Sequence, residues 1–452
     1  MVYIPHTDAE RQAMLEAIGV ENIEELFWDI PKKFRYPPLN LPDSLSEMET
    51  LQELQFLAEL NLNTNTTPTF LGAGAYRHWV PSVVDYVISR GEFYTAYTPY
   101  QAEVSQGTLQ AIFEYESMIC DLTGMDVANA SHYDGATAAA EAVIQAYNVF
   151  RKKRSKIVVA PTVHPHYRQV IHTYTQGMEL EIVGGDDPTT TLAQLIELVD
   201  DQTACLILQT PDFLGQLHDL AGLADAIHAR GKDAQFVVIT NPISLGLLKP
   251  PGDYGVDTVV GEGQPLGLGL NFGGPYLGFY ATRSQYVRQM AGRLVGKTVD
   301  IEGKDGYVMT LTTREQHIRR DKATSNICSN QGLMALAATV YMAALGKHGL
   351  RKVAELNYHK AHYAAEAIDA VEGFSVVRRN PFFNEFVVRC PAPVDEINAF
   401  LLDALEGVEI IGGYDLAQDY PHLANAMLVA VTEMNSRYEI DLLAEAFNAF
   451  VD

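Results

Sequence analysis

The chain has 452 residues, 47% of them hydrophobic and 20% charged, with a formal net charge of -25. That length and mixture suit a globular protein of two or three domains around a large buried core. The negative excess argues against free nucleic acid and anionic membrane as partners, and it identifies no substrate. The N-terminus "MVYIPHTDAERQAML" has no basic region ahead of an apolar run, so it does not read as a signal peptide. No uninterrupted apolar run approaches the roughly 18 residues that span a bilayer. Cys120, Cys205, Cys328 and Cys390 are far apart and form no CxxC pair. They read as reduced thiols of a cytoplasmic protein rather than as zinc ligands or disulfides.

Residues 7–60 read as helices. Thr7 and Glu10 make a capping box before "AMLEAI", "NIEELFWDI" stops at Pro31, and "SEMETLQELQFLAEL" follows a proline-rich stretch. We take 1–70 as a helical N-terminal extension that packs on another surface. Residues 71–333 then alternate. The helix "AAAEAVIQAYNVFRK" precedes the strand "KIVVA", and "ACLILQT", "QFVVIT", "DTVVGE" and "YLGFYAT" follow with helical segments between several of them. Continuous apolar strands between helices predict an α/β domain with a large, mostly parallel sheet covered on both faces. From 334 to 452 a long helix leads into paired strands with helices between them, which predicts a smaller C-terminal α+β domain.

Several motifs carry possible chemistry. "GRLVGKT" (292–298) has three residues between its glycines where a nucleotide P-loop needs four. It also follows "QYVRQMA", which reads as a helix where a strand is required. His132, His164 and His166 show no metal-ligand spacing on one element, so no metal site is expected. In "SHYDGATAAAEAV" (131–143), Gly135, Ala136 and Thr137 open an alanine-rich helix. Its free N–H groups suit a phosphate, or Asp134 or Thr137 is an ordinary N-cap. "YTAYTPYQAEVSQG" (94–107) sets Tyr94, Tyr97 and Tyr100 around Pro99, ahead of Gln101, Glu103, Ser105, Gln106 and a helix from near Leu109. It suits a pocket wall or a packed loop at a subunit contact. Arg314, Arg319, Arg320 and Lys322 concentrate positive charge in "REQHIRRDKATSNICSNQ", either for an anion or acidic partner or as a salt-bridged interdomain segment. Finally, "VVGEGQPLGLGLNFGGPYLGF" (259–279) is a strand, a glycine-rich loop and a second strand, with Gln264 at the turn.

This order of features resembles the aspartate-aminotransferase-like (fold-type I) enzymes that use pyridoxal phosphate. The resemblance puts their phosphate cup at Gly135, Ala136 and Thr137. It puts the carboxylate that pairs with the pyridine nitrogen at Asn241, in "VVITNPISLG", and the Schiff-base lysine at about Gln264. No lysine occurs between Lys249 and Lys297. An amide is not a useful nucleophile, and an asparagine supplies no charge to the ring nitrogen. The cup is therefore expected to be degenerate, with no catalytic residue in this chain alone.

Longer motifs, "FLGAGAYRHWVP", "FYTAYTPYQAEVSQGTLQA", "MDVANASHYDGATAAAEA", "LNFGGPYLGF" and "REQHIRRDKATSNIC", are similar to those of the glycine cleavage system P-protein over nearly the whole chain. In that family bacteria often divide the enzyme between two homologous subunits, and the resemblance here is to the one without the lysine. It implies pyridoxal phosphate on the partner subunit 2, glycine decarboxylation where the two chains meet, and transfer of the aminomethyl group to the lipoyl arm of the H-protein. It also implies a two-plus-two heterotetramer. Tyr97, Pro99 and Tyr100 are then expected as walls of the shared site, with Gln101, Glu103, Ser105 and Gln106 as polar contacts. Two other readings stay open: an autonomous pyridoxal-phosphate enzyme using Lys249 or Lys322, and a non-catalytic scaffold.

Overall fold

The computed structural model describes residues 5–185, 187–323, 325–327, 331–377, 380–403 and 408–451. Cys328 lies outside the described residues. The chain divides into two compact units, 1–62 and 63–452.

In the first unit, the Asp8–Ile18 helix starts at the expected Thr7–Glu10 capping box and stops at Gly19, whose φ of 87° ends the helix in the left-handed region. The Glu47–Glu59 helix has a second box, Ser46–Glu49. Short 3-10 turns at Ile23–Phe27 and Lys32–Phe34 lie between them. None of these four elements contains a buried residue.

The second unit is built on a seven-stranded sheet. Its strands are β1 (Val127–Ala128), β2 (Lys156–Val159), β3 (Glu181–Val183), β4 (Thr203–Gln209), β5 (Gln235–Ile239), β6 (Thr258–Glu262) and β7 (Gly278–Thr282). The spatial order is β1-β7-β6-β5-β4-β2-β3. Strands β3, β2, β4, β5 and β6 are parallel, and β7 and β1 complete the sheet antiparallel. The mostly parallel sheet expected from the sequence is present. Its central strands are buried along their length because helices cover both faces, which is why they read as unbroken apolar runs. The Gly135–Val149 helix packs into this layer through Ala138, Ala139, Ala140, Ala142 and Ala146, all fully buried. Their small side chains let its backbone lie close to the sheet.

A two-stranded hairpin, β8 (Leu294–Val299) with β9 (Asp305–Thr310), follows. The "GRLVGKT" stretch is thus mainly strand. The preceding "QYVRQMA" is not the expected helix: after a 3-10 turn at Ser284–Tyr286 it runs on as irregular turns. Arg314 holds this region by donating to the carbonyls of Val287, Met290 and Gly292, a polar knot that overrides local helix propensity. The Gly332–Asp369 helix is broken at Gly346, whose φ of 57° and ψ of -176° are not helical. By length and composition it is apolar enough to cross a membrane, but buried residues on both sides of the break place it in the core. A second sheet, β10 (Ser375–Val376), β11 (Glu385–Arg389), β12 (Tyr414–Asp415) and β13 (Ala426–Ala430), is antiparallel throughout in the order β10-β11-β13-β12. Its own apolar cluster includes Phe386, Val388, Ile397, Met427 and Phe447.

The segment before the Gly135–Val149 helix crosses β7 where there is no room for a side chain. His132 and Gly278 exchange backbone hydrogen bonds, and a Cβ on Gly278 would stand 2.2 Å from the Asp134 carbonyl oxygen. Gly278→Ala is therefore expected to destabilise the protein by about 1–3 kcal/mol, read as a lower urea midpoint. An unchanged midpoint would show that the crossing can relax.

Candidate functional site

The carboxyl ends of β4, β5 and β6 meet at one small cavity lined by, among others, Tyr76, His164, Gln209, Asn241, Glu262 and Glu385. Open α/β sheets bind ligands outside these strand ends. The volume here is about 40 Å³, room for a few waters at roughly 10–15 Å³ each.

The chain itself fills the rest of this space. Gly135, Ala136 and Thr137 do open the Gly135–Val149 helix, and Asp134 caps it by accepting from the Thr137 N–H at 2.7 Å. The Gly135 N–H donates to Glu262 Oε2 at 3.0 Å. Glu262 Oε1 accepts from the N–H groups of Gln264 and Leu277 at 2.9 and 3.0 Å. One carboxylate thus stands at the helix N-terminus, where its dipole and free N–H groups favour an anion. The Tyr167 hydroxyl closes the cup from the other side, 2.2 Å from where a Gly135 Cβ would sit. Burial pushes Glu262 up to about 8, opposed by its three backbone donors.

Gln264 is fully buried and has every polar atom paired. Its Oε1 accepts from the Tyr76 N–H at 3.0 Å, and its Nε2 donates to the carbonyls of Tyr76 and Leu268, both at 2.8 Å. The amide is a clamp between the glycine-rich loop and residues 70–79, which run across the site as a strap. Glu385 holds the same strap from the second sheet, accepting from the Ala73 N–H and from the Tyr76 hydroxyl, both at 2.7 Å. His164 is neutral: its Nδ1 accepts from the His166 N–H, its Nε2 donates to the Ala73 carbonyl, and burial lowers it to about 4. Asn241 spends its Oδ1 on the Ile243 N–H. Lys249 and Lys322 do not line this cavity.

Pyridoxal phosphate does not fit these residues. The phosphate position is taken by Glu262 and Tyr167, the amine position by a satisfied amide, and the remaining volume is too small. Sequence reasoning passed over Glu262, Tyr167, Tyr76 and Glu385, and weighed His164 only as a metal ligand. The acid ending the apolar strand "DTVVGE" was the available signal for Glu262.

The tyrosine loop stands apart from this cavity. Tyr97 is 81% exposed and Pro99 is buried. Both line a second cavity of about 190 Å³ with Phe93, Tyr94, Ile112 and Leu336. Tyr100 faces elsewhere: Arg293 Nη2 donates to its hydroxyl at 2.9 Å and the guanidinium lies 4.8 Å from its ring centre. Arg293 is itself buried and paired with Glu315 at 2.9 Å. Gln106 is tied to the hairpin, exchanging hydrogen bonds with the backbone of Tyr307. The helix begins at Gln106 rather than near Leu109, and Ser105 precedes it without a side-chain cap bond. Gln101 and Glu103 are exposed. Of the basic segment, Arg319, Arg320 and Lys322 are exposed, whereas Arg314 is the internal tie described above.

Residues 1–447 match the family described as glycine cleavage system P-protein. A protein of Thermomicrobium roseum named "Probable glycine dehydrogenase (decarboxylating) subunit 1" is 57% identical over 449 residues, covering 99% of each chain. A crystal structure of glycine decarboxylase (P-protein) of the glycine cleavage system, in inhibitor-bound form, superposes with a TM-score of 0.89 at 43% identity, covering 99% of each chain. A glutamate decarboxylase of Lactobacillus brevis, with a TM-score of 0.66 at 13% identity over 94% of this chain and 97% of its own, shares the fold alone. The aspartate-aminotransferase-like fold expected from the sequence is the observed one.

Gln264→Lys is expected to give no Schiff-base absorbance with added pyridoxal phosphate. It should also cost about 2–4 kcal/mol of stability, because the Tyr76 N–H loses its acceptor and an ammonium is buried. A Schiff-base band with an undiminished urea midpoint contradicts the filled-site account. The buried carboxyls predict a pH effect as well. Glu385 is pushed up to about 7 by burial, from an ordinary value of 4.5. The folded chain then keeps a proton that the unfolded chain has released, so stability falls as pH rises from about 4.5 through 7. Urea midpoints should decline from pH 5 to pH 8, and Glu385→Gln should flatten the decline. An equal slope in both proteins excludes Glu385 as its source.

Proposed function

Because the chain belongs to the glycine cleavage system P-protein family, we propose that it is the cofactor-free half of a two-chain glycine decarboxylase. The observation that carries this reading is the filled internal site, with Gln264 where a Schiff-base lysine would stand and Glu262 in the phosphate position. In this reading a homologous partner subunit holds pyridoxal phosphate, the two associate as a two-plus-two heterotetramer in the cytoplasm, and the lipoyl arm of the H-protein accepts the aminomethyl group. Bound to the partner, pyridoxal phosphate would supply the electron sink for the carbanion left when glycine loses CO2.

This chain's share of the chemistry is positioning. Tyr97 and Pro99 offer an apolar wall that excludes water around glycine or the lipoyl arm. Tyr100 offers a directed hydroxyl. Its oxygen accepts from Arg293, so its own proton is free to be donated to a substrate group. Arg293, locked by Glu315, sets the direction of that hydroxyl and stiffens the loop through its contact with the ring. Gln106 contributes by latching the base of the loop to the β8–β9 hairpin.

The purified chain alone should show no glycine–CO2 exchange, and adding the partner subunit should restore it. In the reconstituted enzyme, Tyr97→Ala and Tyr100→Phe should lower turnover roughly 10- to 100-fold with assembly intact by light scattering. Exchange by the lone chain would overturn the proposal. Intact turnover with weakened assembly in these variants would instead assign the loop to scaffolding.

A further inference from the structure

A third cavity, of about 290 Å³, opens on the second sheet. It shares no lining residue with the two cavities described above. Its volume is close to the roughly 300 Å³ at which small-molecule clefts begin. The alternation of β11 sets its floor. Phe386 and Val388 belong to the apolar cluster on one face of the sheet, so Val387 and Arg389 stand on the other. There Val387 packs with Tyr420 and Ala426 in a smaller apolar cluster. Leu214, Val377 and Leu423 extend this apolar wall around the cavity, and Arg389 lines it as an exposed side chain.

Charge selects the ligand. β11 is an inner strand of its sheet, paired on both sides, whereas charged side chains on sheets commonly guard edge strands. Among the described residues, the Arg389 guanidinium has no hydrogen bond or ion pair, and no carboxylate lines the cavity. The chain holds 57 Asp and Glu against 32 Lys and Arg, so an acid-free wall beside an unpaired arginine departs from its general surface. The acids on the flanking segments are committed elsewhere. Asp187 accepts from the Thr189 N–H and hydroxyl, and Asp212 from the N–H groups of Leu214 and Gln216. Asp415 accepts from the Ala417 N–H, and Asp419 from the Tyr414 hydroxyl. The rim adds the His422 ring and the Gln216 amide, whose Oε1 accepts from Asn380 and whose Nε2 is left as a donor. A guanidinium presents paired donors that match a carboxylate. The apolar wall beside it suits an apolar body, which inorganic phosphate lacks.

We propose that this cavity binds a small organic acid, with its carboxylate on Arg389 and its apolar body against Val377, Val387 and Leu423. The proposal is independent of the two-chain reading above. It is tested by calorimetric titration of the full-length chain at low ionic strength with benzoate and with 4-methylpentanoate. Each acid is run against its neutral amide, and inorganic phosphate is run as the anion without an apolar body. At least one acid should bind at a single site with a Kd of about 1 mM or tighter. Its amide and phosphate should bind at least about 10-fold more weakly. Arg389→Gln should weaken the acid by about 10-fold or more, with an unchanged urea midpoint because the guanidinium has no partner within the chain. Ala424→Trp fills the cavity from an exposed loop position and should abolish binding with Arg389 intact. The proposal is overturned if neither acid binds by about 10 mM, if amide or phosphate binds as well as the acid, or if acid binding survives both substitutions.

Discussion

Free N–H groups where a helix N-terminus meets the carboxyl ends of a parallel sheet require acceptors, and the rest of this site follows from Glu262 supplying one. Its carboxylate gathers three backbone N–H groups from the helix, the glycine-rich loop and the approach to β7. With that junction held, Gln264 faces the strap and clamps it through a reciprocal amide pair. Glu385 then fixes the other side of the strap through Ala73 and Tyr76. Gly135 has to lack a side chain because Tyr167 and the backbone of Glu262 close over it. Each of these groups has its partner inside the chain, so the pocket is a joint rather than a receptor.

The loop around Pro99 lies apart from this closed interior. It is held at three places, by Arg293 on Tyr100, by the hairpin on Gln106 and by the burial of Pro99, while Tyr97 just ahead of them is left in solvent. Rigid support behind exposed aromatic rings limits the conformational entropy lost when a second surface closes over them. The helices of the first unit are likewise set by local caps.

The fold was largely legible in the sequence because its central strands are buried on both faces and therefore read as unbroken apolar runs. Gln264 was legible as a missing amine. What the amide does instead was not, since its partners, Tyr76 and Leu268, are set by tertiary approach. Glu262 was obscured for the same reason: an acid ending a strand looks like a solvated turn until its three donors are seen. Arg314 read as part of a basic segment, for an anion or acidic partner or for interdomain salt bridges, but it satisfies backbone carbonyls inside the unit. The helix read over "QYVRQMA" failed where that knot outweighs propensity. The break at Gly346 was not read from the sequence, because the apolar pattern runs on through it and only its backbone angles reveal it.

Enzymes that hold a cofactor by its phosphate are stabilised by mass action, so their folded population tracks the supply of a vitamin-derived ligand. Here the group that accepts at the helix is covalently part of the chain, at an effective concentration that dilution and nutrition do not change. The junction at the helix is therefore complete without a bound ligand. In the two-chain reading proposed above, one cofactor molecule would serve every two chains of the fold, and the response to vitamin supply would be concentrated in a single gene product.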